Sequence, residues 1–283
     1  MRLVERYAGN MVSASDAHRL ADCTGVTPAL LSRACSVVAS ARHHVHSSKA
    51  SDAVIRLVDS TLRAQGESSL LSDTSTLPAY YDPKFLSVNV DIDAIANGVL
   101  RHGAARICLY GPPGTGKSAF GAWLAQRIDR PFLCRKASDI LGMFVGQTEK
   151  AIARAFRIAK DEGAVLMLDE VDTCLRDRRN GQRNWEFSMV NELLVQMEQF
   201  NGIFVASTNL MDAIDQAALR RFDLKLKLDY LRSEQATDLL RVVCNDLGID
   251  PPDTSIGSPL RGLDVLTPGD FAAVARRHRF EPF

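Results

Sequence analysis

The stretch GPPGTGKS, residues 111–118, fits the pattern G-x-x-x-x-G-K-[ST] in full. Gly111, Gly114 and Gly116, with Pro112, Pro113 and Thr115 between them, let the backbone turn tightly. Several N–H groups can then converge on phosphate oxygens. A helix starting at this loop adds the positive end of its dipole. Lys117 is placed to reach β- and γ-phosphates, and the Ser118 hydroxyl to ligate Mg²⁺. Farther along, AVLMLDE (164–170) is an apolar run closed by two carboxylates. Asp169 can complete the Mg²⁺ shell, and Glu170 can polarise a water for attack on the γ-phosphate. Asp172 can support that site or cap a helix; both readings stand.

Phosphate chemistry of this kind needs a strand before the loop and a helix after it. The sequence supplies both: RICLY reads as a buried strand and GKSAFGAWLAQRI has helical spacing. The alternation then continues. PFLCRKA, AVLML, GIFVAS and LKLKLDY read as strands. TEKAIARAFRIAKDEG, NWEFSMVNELLVQMEQF and the short DQAALRRF read as helices. Strands alternating with helices predict an α/β fold, a P-loop NTPase parallel sheet with helices on both faces. From Ser233 on the pattern is helical only (SEQATDLLRVVCNDLG, TPGDFAAVARRHR), which predicts a small C-terminal helical lid. Residues 12–63 also read as helical, with Ser15 or Asp16 as one N-cap and Thr27-Pro28 opening another helix. The Ser-, Gly- and Pro-rich stretch 66–84 reads as a linker. The expected organisation is an N-terminal helical domain (1–65), that linker, an α/β core (85–231) and a helical lid (232–283).

The bulk numbers narrow the partners. Of 283 residues, 46% are hydrophobic, so a sizeable core is expected. Lys plus Arg equals Asp plus Glu at 34 each, so nothing draws the whole chain toward nucleic acid or an anionic membrane. The six cysteines show no C-x-x-C pair, and reduced, buried thiols in a cytoplasmic protein are the expectation. The N-terminus has no secretory apolar segment, and no apolar run reaches the ~18 residues of a membrane helix.

GPPGTGKS, MFVGQTEK, MLDEVD, ASTN and DQAALRRFD occur in the order and near the spacing of one family. In these motifs the chain resembles the AAA ATPases, in a bacterial-type form, over about residues 85–275. The resemblance implies binding of ATP and Mg²⁺, Mg²⁺-dependent ATP hydrolysis, Walker A and Walker B motifs at 111–118 and 164–170, and assembly into a homo-oligomer, commonly a hexameric ring. By the same resemblance Asn209 is similar to the residue that helps Glu170 orient water. Arg221, before Phe222, is the first choice of arginine finger on a neighbouring subunit and Arg220 the second. The segment ALRRFD is shorter than the family's, so either arginine, or both, can serve. Phe144-Val145-Gly146 matches an aromatic–hydrophobic–glycine triplet that projects into the ring's pore and grips a client chain; a core role for Phe144 is the alternative. Gly269 resembles a lid residue near adenine or ribose, though a plain helix start at Thr267-Pro268 explains it equally. Val90 and Ile92 either flank the base or pack as linker. The Arg-rich RDRRNGQRN (176–184) lies where the family has a second pore loop; a solvated basic loop, or one that contacts a phosphate backbone, is the alternative.

Two functions are therefore expected in competition. One is a motor that remodels, unfolds or disassembles a protein client, with no membrane partner. The other is a nucleic-acid-directed ATPase. LADCTGVTPALLSRA (20–34) carries Ala21, Gly25, Val26, Leu31 and Ala34 at helix-turn-helix positions, and residues 1–50 hold six Lys/Arg against three Asp/Glu. His43, His44 and His46 read as a solvated face rather than a metal site. A helical adaptor that recognises a client is favoured over DNA binding.

Overall fold

The computed structural model describes residues 11–12, 17, 20–21, 25–40, 50–64, 77–78, 80–140, 147–175, 184–251, 260 and 262–280. The chain divides into two compact units, Met1–Ser72 and Asp73–Phe283. In the first, helix α1 (Pro28–Ser40) packs on α2 (Ala50–Ala64) around Leu31, Cys35, Val54 and Val58. The Thr27 hydroxyl accepts from the amide of Leu30 at 3.3 Å, so the Thr-Pro start acts as expected. Of the helix-turn-helix positions, Leu31 and Ala34 are buried and Ala21 is exposed. Ser15, Asp16, His43, His44 and His46 lie outside the described residues.

The second unit is built on a five-stranded parallel sheet of order β2-β3-β4-β1-β5. Its strands are β1 (Ala105–Tyr110), β2 (Phe132–Lys136), β3 (Val165–Asp169), β4 (Ile203–Thr208) and β5 (Leu224–Lys227). The sheet is covered on both faces, as a parallel sheet requires. On one face lie α3 (Ile92–His102) and α4 (Lys117–Arg127), sharing a core with Ile107, Leu109, Met167 and Val205. The other core contains residues of α5 (Ala137–Ile140), α6 (Gln147–Glu162), α7 (Asn184–Gln199) and α8 (Gln216–Leu219). There Phe156 meets Phe200 and Phe204 at ring-centroid distances of 5.3 and 5.2 Å, and Phe204 stacks on Phe222 at 6.2 Å. The chain returns through α9 (Ser233–Leu247) and α10 (Pro268–His278), which share a small apolar cluster with Phe85.

Helix α3 was not foreseen. Its signals were present: Asp91 accepts from the amide of Ala94 as N-cap, and Gly103 closes the helix at φ 72°. The unit division at Ser72 falls inside the expected linker. Tyr80, Tyr81 and Phe85, at the end of that stretch and just beyond it, pack into the second unit. Among the described residues no helix is long and apolar enough to cross a membrane.

Candidate active site

The site lies at the carboxyl ends of β1, β3 and β4, the edge where open α/β sheets place ligands. Strand order explains the convergence. Because β4 runs between β1 and β3, its end sits between the loop that follows β1 and the carboxylates that follow β3.

The glycine loop is built to exclude side chains. Gly111 has φ 137°, and a Cβ there would lie 1.9 Å from the carbonyl oxygen of Leu228. A Cβ on Gly114 (φ 80°) would meet the Thr267 hydroxyl at 2.6 Å. Gly116 is the left-handed N-cap of α4. The Thr115 hydroxyl, itself buried, donates to the carbonyl of Pro112 at 2.9 Å, and Pro113 is exposed. Lys117 is only 8% exposed, and its Nζ donates to the carbonyls of Gly111 at 2.9 Å and Pro112 at 2.7 Å. Burial lowers its pKa, opposed by the charges of Asp169 and Asp172.

The Ser118 hydroxyl donates to Asp169 Oδ2 at 2.7 Å. A hydroxyl and a carboxylate in contact are hard oxygen donors of the type Mg²⁺ takes beside phosphates, where one or two carboxylates suffice. The donor set therefore fits that ion, although among the described residues no cluster of three or more His, Cys, Asp or Glu forms an all-protein cage. Glu170 is exposed and adopts φ 59°, ψ 47°. A left-handed non-glycine residue costs about 1–2 kcal/mol, and such strain collects at functional sites. Asp172 does not cap the short turn Val171–Thr173; its carboxylate accepts from the Thr208 hydroxyl. Asn209 follows β4 directly and is exposed.

Four consecutive side chains at the end of α8 have distinct placements. Phe222 is buried in the aromatic cluster. Asp223 accepts from the amide of Arg106 at 2.8 Å, pinning the segment to the start of β1. Arg221, the first choice of finger, donates from Nε to Glu198 at 2.6 Å and from a terminal nitrogen to the carbonyl of Ala217 at 2.7 Å. Arg220 is exposed, and among the described residues its side chain has no hydrogen bond or ion pair.

Gly269 does not stand alone in the lid. Its amide donates to the carbonyl of Gly114 at 3.0 Å, so the start of α10 rests on the glycine loop. Ile92 is buried in the core, whereas Val90 is exposed. Phe144, Val145, Gly146 and residues 176–183 lie outside the described residues.

Sequence reasoning missed three groups here. The Ser207 hydroxyl donates to Asp169, and Thr208 bonds Asp172. Both lie within the quoted ASTN, but no spacing rule flags a hydroxyl at a strand end. Tyr81, in the expected linker, has a buried hydroxyl without a hydrogen-bond partner among the described residues, and its ring lies beside Gly116. Its burial pushes the phenol's pKa up.

Residues 107–230 match the family model of the ATPase family associated with various cellular activities (AAA). The chain carries an AAA-family domain. Among relatives, it is 33% identical over 142 residues to Protein mac-1 of Caenorhabditis elegans, covering 48% of this chain and 18% of that protein. It is 30% identical over 195 residues to Spastin of Drosophila persimilis, covering 65% of this chain and 24% of that one. It is 33% identical over 174 residues to the ATP-dependent zinc metalloprotease FtsH of Chlorobium luteolum, covering 58% and 24%. The aligned part thus spans about a fifth to a quarter of these curated relatives. In the AAA domain, the match begins in β1 and ends just past β5, so it encloses the glycine loop, the carboxylates, Asn209 and the arginine pair.

Proposed function

We propose that this chain is a Mg²⁺-dependent ATPase that assembles into a homo-oligomeric ring, a hexamer in the family's usual form, and remodels, unfolds or disassembles a protein client. The observation that carries the ATPase reading is the Ser118–Asp169 contact, with Glu170 beside it and the glycine loop above it. In this reading the loop's N–H groups and the N-terminus of α4 hold the phosphates. Lys117 exchanges its two carbonyl partners for phosphate oxygens, which restores a charged partner to a buried ammonium. Ser118 and Asp169 hold Mg²⁺, which neutralises charge on the β- and γ-phosphates. Glu170 takes the proton of the attacking water, and Asn209 orients that water.

Arg220 is assigned the trans role. Arg221 is committed to Glu198 and Ala217 within its own chain, whereas Arg220 faces outward from a segment fixed by Phe222 and Asp223. The protein-client reading is supported by similarity to a relative whose name is that of an ATP-dependent protease. Phe144, Val145 and Gly146 are assigned the grip on that client. A bare aromatic contact buries area worth about 1.5–3 kcal/mol without demanding a sequence, which suits varied polypeptides. The N-terminal helical unit recognises the client, and the protein works in the cytoplasm.

The test is ATP turnover of the native chain and Phe144→Ala, each with buffer, an unfolded polypeptide or duplex DNA. Polypeptide stimulation that is lost in Phe144→Ala is the expected result. Stimulation by DNA that ignores Phe144 would replace the client reading with a nucleic-acid-directed ATPase.

A further inference from the structure

We propose that Ser207 is a positioning residue, whose buried hydroxyl sets the conformation of Glu170 and the orientation of the Asp169 carboxylate, with Thr208 anchoring the far side of the same turn. This rests on the reading of Asp169 and Glu170 as the working carboxylates.

Ser207 lies near the carboxyl end of β4 and is 1% exposed. Leu109 of β1 is its register partner, and Ala206 pairs Leu168 of β3, so Ser207 stands beside Asp169. Its Oγ accepts the amide of Glu170 at 3.1 Å and donates to Asp169 Oδ1. The other oxygen of Asp169 accepts from Ser118 at 2.7 Å. Asp169 is thus gripped on one oxygen from the glycine loop and on the other from β4, which fixes the plane of the carboxylate.

The same hydroxyl acts on Glu170 through the backbone. Glu170 sits in the left-handed region, which its type disfavours, and its side chain is exposed, so side-chain packing does not hold it. Its amide is held by Ser207. Two residues on, Asp172 accepts from Thr208, and that hydroxyl also accepts the amide of Leu210 at 2.9 Å. The turn that carries Glu170 is therefore tied to two adjacent side chains of β4, one at Asp169 and the Glu170 amide and the other at Asp172. Because Asn209 is the next residue, a shift of this strand end moves Asn209 and Glu170 together. Hydroxyls that only satisfied buried polar groups would affect stability; these also set catalytic geometry, so turnover and metal affinity respond as well.

The experiment uses the full chain, with Ser207→Ala, Ser207→Thr and Glu170→Gln beside the native protein. Four quantities are measured: kcat, KM for ATP, the Mg²⁺ concentration giving half-maximal binding of a fluorescent ATP analogue, and amide exchange at Glu170 without nucleotide. For Ser207→Ala, kcat falls about ten- to hundredfold with KM for ATP unchanged, the range typical of groups that orient ligands from behind. The half-saturating Mg²⁺ concentration rises, and the Glu170 amide exchanges faster. Ser207→Thr, which keeps the hydroxyl, recovers kcat and exchange protection. If Ser207→Ala does not fold, Ser207→Cys carries the test: similar in size but a weak hydrogen-bonder, it lowers kcat in the same way. Native kcat and native Glu170 exchange in Ser207→Ala, or in Ser207→Cys where the Ala variant does not fold, would overturn the proposal while Glu170→Gln remains inactive. Native turnover by Glu170→Gln would overturn the reading beneath it.

Discussion

Arg220 and Arg221 are neighbours in sequence and opposites in environment. The shortened ALRRFD segment left two candidates for one role, because spacing cannot say which guanidinium is already engaged. The Glu198 ion pair answers that for Arg221. Arg220→Ala is expected to keep ATP binding and lose turnover by about 10³-fold, the scale of a removed arginine finger. Arg221→Ala removes a half-exposed pair, costing about 0–1 kcal/mol of stability, and keeps substantial turnover. Phosphate release and analogue binding on both variants check this; the reverse ranking would return the finger to Arg221. Cys108, buried in β1, makes a separate prediction. Burial pushes its thiol up to about 12, above the unfolded value near 8.5. The unfolded chain therefore ionises first. This contribution to stability is intact below about pH 8.5 and is lost as pH rises toward 12. Denaturant midpoints measured from neutral to alkaline pH should fall more steeply for the native chain than for Cys108→Ala; parallel slopes would refute it.

At the scale of elements, the strands and most helices were legible because each carries its own period. ICLY, AVLML and IFVA are unbroken apolar runs, and all three lie in central strands of the sheet. Helix α3 was equally readable from Asp91, Gly103 and the spacing of Ile92, Ala96 and Val99, but it sits beside a stretch whose composition resembled a linker. Strand order was not legible. It depends on which strand edges meet, and it alone brings the end of β4 between the glycine loop and Asp169. The Ser207 and Thr208 contacts were hidden for that reason; the seat of α10 on Gly114 was hidden because it joins residues far apart in sequence. A Cβ on Gly269 would lie 3.0 Å from the Cα of Gly114, tighter than ordinary contact. Gly269→Ala is therefore expected to push α10 from the loop, weakening nucleotide binding with a small change in melting temperature. Unaltered affinity would show that the lid contact is incidental to the nucleotide.

At the scale of the whole molecule, an outward arginine and an outward Glu170 on one subunit make sense if each site is completed by a neighbour. On the proposed roles, Glu170→Gln lacks the base but keeps Arg220, and Arg220→Ala lacks the finger but keeps the base. Mixing the two inactive variants should restore part of the turnover, since some interfaces then combine an intact Glu170 with an intact Arg220. A mixture as inactive as its parts would mean that Arg220 serves its own subunit or no site at all. The most direct measurement is simpler: phosphate release by the native chain and by Glu170→Gln at saturating Mg²⁺ and ATP, with bound nucleotide quantified in both. The expected result is turnover by the native chain, and a variant that holds ATP yet releases phosphate at least ~100-fold more slowly. Equal release from both, or a native chain that binds no ATP, would contradict ATP hydrolysis at this site.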